Sequence, residues 1–141
     1  MPKKKTLKEK LKNLLENRSV ACVEENGRLY FRVESEDGDF VVFVEQDEYT
    51  AEQWVIRVFP LFSVKLDTWD EAEFLHDMLQ WTSVLLLSPI IHPIEGGMAI
   101  GFQRVLGDTD LWAQVEGFII DVAVARSKLM KHAIEWDFSV R

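Results

Sequence analysis

A chain of 141 residues, 48% apolar and 28% charged, fits one domain that buries a core without disulfide or metal staples. This composition excludes wholesale disorder and fibrous classes, and the longest apolar runs, such as Val84–Leu87, fall far short of the ~18–20 residues of a membrane span. The net charge of −8 is unevenly placed: residues 1–18 hold seven basic and two acidic groups, a balance of +5, and the rest holds nine and 22, or −13.

A body this acidic repels phosphate backbones, which argues against nucleic-acid binding by the domain. Residues 1–5, with Lys3, Lys4 and Lys5, are expected to form a basic flexible tail, and residues 6–138 a single α+β domain. Neither a signal peptide nor a membrane partner is expected, because the basic start runs into an amphipathic helix instead of a continuous apolar core. The single Cys22 rules out an internal disulfide framework and suits the reducing cytoplasm.

In chain order, Leu7, Leu11, Leu14 and Leu15 recur at helical spacing, so residues 6–17 read as a short helix docked by its leucines. Val20–Glu24 can start a strand, and Asn26-Gly27 is a hairpin turn signal. Arg28–Glu34 alternates, with Leu29, Phe31 and Val33 on one face and Arg28, Tyr30, Arg32 and Glu34 on the other. Phe40–Glu45 is apolar at nearly every position, as in a central strand, and Trp54–Phe59 is the next strand, halted by Pro60.

Asp67–Thr82 is the central helix. Thr68 and Glu71 form a T-x-x-E capping box, and Ala72, Leu75, Met78, Leu79 and Thr82 make its core stripe. Phe74 and Trp81 widen the apolar arc, which implies either a second contact or packing beneath a loop. Val84–Ile91 is strand-like but interrupted by Pro89, so either a sheet edge or an irregular end is expected there. Met98–Leu106 is a strand whose Gly101 leaves room for a close approach on the face opposite Met98 and Ile100.

The closing helix is expected from Thr109 to about Trp136, with Leu111, Val115, Phe118, Ile119, Val122, Leu129, Met130 and Ala133 facing the core. Ala113, Gly117, Ile120 and Val124 form a second stripe nearly opposite. A mid-helix glycine costs ~1 kcal/mol relative to alanine, so Gly117 marks either a close packing partner or a tolerated glycine on a partly exposed face.

No constellation in the sequence carries chemistry. His76, His92 and His132 are isolated, so no metal is expected. The run Gly96-Gly97…Gly101 lacks the lysine and hydroxyl of a phosphate loop and precedes a strand. Cys22 has no flanking base, and no serine has a nucleophile-elbow setting. The expectation is a non-enzymatic chain with no catalytic residues and no cofactor. Covering one stripe of each long helix leaves Phe74, Trp81, Ala113, Gly117, Ile120 and Val124 over, and surplus apolar surface of this kind predicts self-association as a homodimer.

The segments Phe40–Leu61 (FVVFVEQDEYTAEQWVIRVFPL) and Phe74–Leu106 (FLHDMLQWTSVLLLSPIIHPIEGGMAIGFQRVL), followed by the long helix, resemble the type III secretion chaperone-like fold and within it the bacterial YbjN family. The likeness covers about residues 7–135 and is one of layout, without an invariant motif. Leu79-Gln80-Trp81 stands where that family often has an asparagine pair, and two prolines interrupt the turn. The resemblance implies an α+β fold, an antiparallel sheet with helices packed on it in the order α-β-β-β-α-β-β-α. It also implies a small cytoplasmic homodimer that binds segments of a client protein. The alternatives from other classes are a small-ligand or enzymatic pocket between the central helix and the sheet, and a nucleic-acid-associated regulator acting through the lysine tail.

Overall fold

Thr6 opens the first helix, α1 (Leu7–Asn17), with a reciprocal cap: its hydroxyl accepts from the Glu9 amide at 3.2 Å, and its own amide donates to the Glu9 carboxylate at 3.3 Å. The computed structural model describes residues 6–35, 38–49, 52–65, 70–129 and 133–135. Thr68 with its capping box, the lysine start, Met130, His132 and Trp136 lie outside the described residues. After α1 come β1 (Cys22–Glu25), β2 (Arg28–Val33), β3 (Phe40–Gln46), β4 (Trp54–Lys65), α2 (Asp70–Leu85), β5 (Ser88–Ile94), β6 (Gly97–Leu106), α3 (Leu111–Leu129) and β7 (Ala133–Glu135).

Every strand pair is antiparallel, in the order β1-β2-β3-β4-β6-β5, with β7 also on β4. The α+β class with helices packed on an antiparallel sheet is therefore as the sequence implied. Pairing Leu29 with Val44, Val44 with Ile56 and Val58 with Phe102 puts all five on one face. There they form a single core with Leu7, Leu11 and Leu15 of α1, Phe74 and Met78 of α2, and Val115, Phe118 and Val122 of α3. All three helices thus lie over the same sheet face. Lys12 and Lys8 clasp Glu24 at 3.3 and 3.5 Å and tie α1 to β1; the bond from Lys12 is the main cause that holds the Glu24 carboxyl below its usual range.

Four expectations need correction. The next strand does not halt at Pro60: β4 runs through it to Lys65, and the Phe59–Pro60 peptide is cis. Pro60 falls where the β4–β6 register shifts between Val58 and Phe62, so its missing N–H removes no ladder bond. Val84 and Leu85 belong to α2, and β5 starts only at Ser88. Arg104 of β6 donates to the carbonyls of Leu85 (2.6 Å) and Leu86 (3.4 Å), satisfying acceptors that the helix end leaves open, and pairs with Asp121 of α3 at 2.6 Å. Of the two arrangements expected for the proline-bearing strand, the structure shows the edge: β5 pairs only with β6 and holds Pro89 and Pro93.

The closing helix ends at Leu129, and Ala133, predicted to face the core from the helix, lies in β7. The reason is an open edge: β3 pairs with β4 only from Trp54 to Arg57, and the free side at Ser63 and Val64 takes β7. Finally, α2 is turned relative to its predicted stripe. Phe74, Met78 and Thr82 are buried, whereas Ala72, Leu75 and Leu79 are exposed. Thr82 bonds back to the Met78 carbonyl at 2.6 Å, so its hydroxyl enters the core satisfied.

Candidate functional site

Opposite the helices, the sheet presents a second face that no helix among the described residues covers. The register lines up Tyr30 (β2), Phe43 (β3), Arg57 (β4), Gln103 (β6) and Ser88 (β5) in one row across it. Around that row the sheet forms a hollow of about 740 Å³ whose lining comes from strands β2 to β6 and Glu48 of the β3–β4 connection. Phe43 and Tyr30 make one side, with ring centroids 5.4 Å apart. Phe59, Pro60 and Ile90 make the other, and the Phe59 ring meets His92 edge-on at 6.4 Å.

Gly101 permits this second wall. A Cβ there would stand 2.2 Å from the Val58 carbonyl oxygen and 2.8 Å from Phe59 Cδ2. The sequence pointed to a close approach at Gly101, and Phe59 supplies it. Gly101→Ala is expected to lower the unfolding free energy by about 1–3 kcal/mol through overpacking against backbone, measured by urea titration, and to displace the Phe59 wall.

Polar groups also line the hollow: Arg57 and Gln103 in the same row as Tyr30 and Phe43, and Arg28 and Glu45 one step along the strands on the side away from Phe59. Glu45 accepts from Arg28 Nε at 2.6 Å and from Arg57 Nη1, so one carboxylate bridges two guanidinium groups. Arg57 Nε donates to Gln103 Oε1 at 2.7 Å, and Arg28 Nη1 to the Tyr30 hydroxyl at 3.3 Å. The Arg28 guanidinium also lies 4.9 Å from the centre of the Phe43 ring, within cation–π range. Such fork-shaped, hydrogen-bonded arginines fix their own orientation and are suited to binding acceptors. The arrangement suits recognition, and among the described lining residues there is no Ser, Cys or Thr.

The residues predicted to form a partner surface divide. Phe74 does not belong there: it is 1% exposed and packs in the core, because α2 turns that arc toward the sheet. Trp81 is half-buried, with Lys128 of α3 over its ring at 5.2 Å, so α2 and α3 adjoin at this point. Ala113 is exposed, Gly117 and Val124 are half-buried and Ile120 is 61% exposed. Ile120, Ala123, Val124, Ser127 and Lys128 outline a shallow hollow of about 370 Å³ on the outer side of α3. At Gly117 a Cβ would meet only Arg104 Nη1 among the described residues, at 4.0 Å, so nothing among them requires the glycine. The alternative pocket between the central helix and the sheet is not where the large hollow lies; Phe74 and Met78 fill that interface.

Sequence reading missed Glu45, Arg57 and Gln103 as a set. The one available signal was Arg57 itself, a charge inside the otherwise apolar run Trp54–Phe59. Cys22 is half-buried, and burial first, then the Glu16 charge, push its thiol up. It is therefore expected to react with iodoacetamide at pH 8 more slowly than a free thiol, followed by mass spectrometry. Among the described residues, no three His, Cys, Asp or Glu side chains gather as a metal-holding group, and no helix is long and apolar enough to cross a membrane. The chain matches no family model, no curated protein and no solved structure.

Proposed function

We propose that the chain is a non-enzymatic, chaperone-like protein-binding module of the YbjN or secretion-chaperone type, a cytoplasmic homodimer that holds segments of a client protein. The observation that carries this reading is the sheet face opposite the helices, where a hollow with aromatic walls is covered by no helix among the described residues. The hollow sets the Tyr30–Phe43 and Phe59–Pro60 sides beside hydrogen-bonded arginines, and a concave surface that combines apolar walls with a few oriented polar groups supports a binding role. The test is binding of a permanently unfolded, reduced and alkylated protein to the purified chain. Saturable binding that is lost in Phe43→Glu supports the reading, and no binding at up to about 100 μM (a binding free energy weaker than about −5.5 kcal/mol) removes it.

The outer side of the helical layer supports the dimer. Trp81, Ala113, Gly117, Ile120 and Val124 leave apolar area in water, and a two-fold axis lets a second copy cover it with the same patch. The net charge of −8 opposes this, but its long-range part is screened over ~8 Å at physiological salt. Light scattering at micromolar concentration is expected to give a dimer mass, and Ile120→Glu or Trp81→Glu a monomer with an unchanged circular-dichroism spectrum. Ile120→Glu is a cleaner probe than Gly117→Arg, because Arg104 lies 4.0 Å from the Gly117 Cβ position and would face the new charge. A monomeric mass for the parent chain across that range removes the dimer.

A small-ligand module is the second reading, because 740 Å³ lies within the ~300–1,000 Å³ span of ligand pockets. It predicts a protein that fails to bind the unfolded chain and instead gains thermal stability from a small molecule.

A further inference from the structure

Strand β7 directs its chain toward the hollow. Because β6 takes one edge of β4, from Trp54 to Val58 and again from Phe62 to Lys65, β3 and β7 share the other. Both run antiparallel to β4 and hence in the same direction, β7 opposite Val64 and Ser63, and β3 opposite Arg57 to Trp54. The chain therefore leaves β7 at Glu135 heading back along β4 toward Leu61 and Pro60, and toward the start of β3. That stretch of edge is open: among the described residues, nothing pairs with β4 on this side from Val58 to Phe62.

Six residues follow, Trp136-Asp137-Phe138-Ser139-Val140-Arg141. Continued at one residue per position, Trp136 and Asp137 come level with Phe62 and Leu61, and Phe138 with Pro60. Extending the β3 register past its last pair puts Phe40 level with Pro60 as well, so the segment has to leave the sheet plane there. The inner side is closed, because Phe40, Leu61 and Phe62 lie in the core and are at most 2% exposed. The outer side holds the hollow, and Val41 and Pro60 line it where β3 and β4 part. From that lip Phe138–Arg141, at ~3.3 Å per residue, span about 13 Å, more than the roughly 10 Å from β4 to β2. Charge neither favours nor opposes the seating. Arg28 and Arg57 balance Glu45 and Glu48 in the lining, and Asp137 balances Arg141 in the segment.

We infer that residues 136–141 fold back onto the outer sheet face and fill the hollow of their own chain, with the Phe138 ring seated between Val41 and the Phe59–Pro60 wall. The occupant is selected by where β7 delivers the chain. A segment tethered this close to its site acts at high effective concentration, so modest contacts suffice to hold it. The seating stands apart from the client reading, whereas its consequence rests on that reading: the segment is a resident competitor that a client has to displace.

The test is nuclear magnetic resonance on the isotope-labelled 141-residue chain. Nuclear Overhauser contacts are expected from the Phe138 ring to the Val41 methyl groups and to Pro60. Contacts from Phe138 to α1, α2 or α3, or none to the outer sheet face, overturn the inference. In a mixture of labelled and unlabelled protein, the same contacts arising between chains overturn it in favour of a second copy as the occupant. Phe138→Ser is expected to shift the amides of Val41, Phe43 and Ile90 and to leave those of Ile120 and Val124 in place. A segment that fills the hollow about nine-tenths of the time weakens an outside ligand about tenfold. Phe138→Ser is therefore expected to bind the unfolded, reduced and alkylated protein up to about tenfold tighter than the parent chain does, and equal affinity removes the competitor role. Contacts without any such binding leave this inference standing and remove the client reading; binding without the contacts does the reverse.

Discussion

Replacing Phe74 by alanine is expected to lower the unfolding free energy by about 3–5 kcal/mol, whereas Leu79→Ser is expected to stay within about 0.5 kcal/mol. Both residues lie on α2, five positions apart, and both are large and apolar. Phe74 is 1% exposed among inner-face residues of the sheet, and Leu79 is 69% exposed. Removing the phenyl ring deletes buried transfer energy and leaves a cavity that close-packed neighbours cannot collapse into. Removing the Leu79 side chain takes away surface already in water. Urea titrations of the two variants, followed by circular dichroism, decide the matter. Equal costs mean that the helix is turned the other way, with Ala72, Leu75 and Leu79 inward.

That contrast also shows where the sequence stopped being informative. The strands were legible because period-two alternation leaves little choice: Leu29, Phe31 and Val33 go to one face and Arg28, Tyr30 and Arg32 to the other, and the structure keeps that division. The Asn26-Gly27 hairpin and the edge position of the proline-bearing strand followed from backbone chemistry in the same way. Helix α2 offered apolar residues around more than half its circumference, so periodicity alone allowed two arcs. Tertiary partners chose between them, with Arg104 gripping the helix end and α3 lying on the Trp81 side. The β7 strand was illegible for a related reason: the free side of β4 at Ser63 exists only because the β3–β4 pairing stops at Phe43 and Arg57.

The sheet-face hollow was hidden more deeply. Tyr30, Phe43, Arg57, Gln103 and Ser88 become neighbours only through the pairing of five strands whose spatial order departs from their chain order. No local spacing announces such a row, although Arg57 within an apolar run was its trace. On the helices, the i, i+4, i+7 and i+11 spacing of Ala113, Gly117, Ile120 and Val124 corresponds to exposed or half-buried positions, whereas Phe74 is buried. The two surfaces lie on opposite sides of the molecule. The dimer proposed above, formed through the helices, would leave the sheet face of each copy uncovered by the other.

The second large effect is expected at Arg126. This arginine of α3 is 3% exposed, an unusual depth for a guanidinium. Its Nη2 donates to Ser35 Oγ at 2.7 Å and to the Gly38 carbonyl at 3.0 Å, and its guanidinium carbon lies 5.1 Å from the centre of the Phe40 ring. Ser35 in turn donates to the same Gly38 carbonyl at 2.6 Å. One buried side chain thus fastens the closing helix to the connection between β2 and β3. Arg126→Ala removes charge-assisted bonds, the stack on Phe40 and the packing of the aliphatic stem, and is expected to cost about 2–4 kcal/mol. Arg126→Lys keeps the charge but cannot reproduce the planar fork or the stack, so it is expected to recover less than half of the loss. Arg18, whose guanidinium lies 4.2 Å from the Trp112 ring on an exposed residue, serves as the control, and Arg18→Ala is expected to cost only about 0.5–1 kcal/mol. Hydrogen exchange supplies the local reading. Amides of Phe40–Val44 should lose protection in Arg126→Ala well before those of β6, because β6 is held by β4 and β5 independently of this clamp. Uniform loss of protection across the sheet would show instead that Arg126 supports the whole core and has no special hold on the β2–β3 connection.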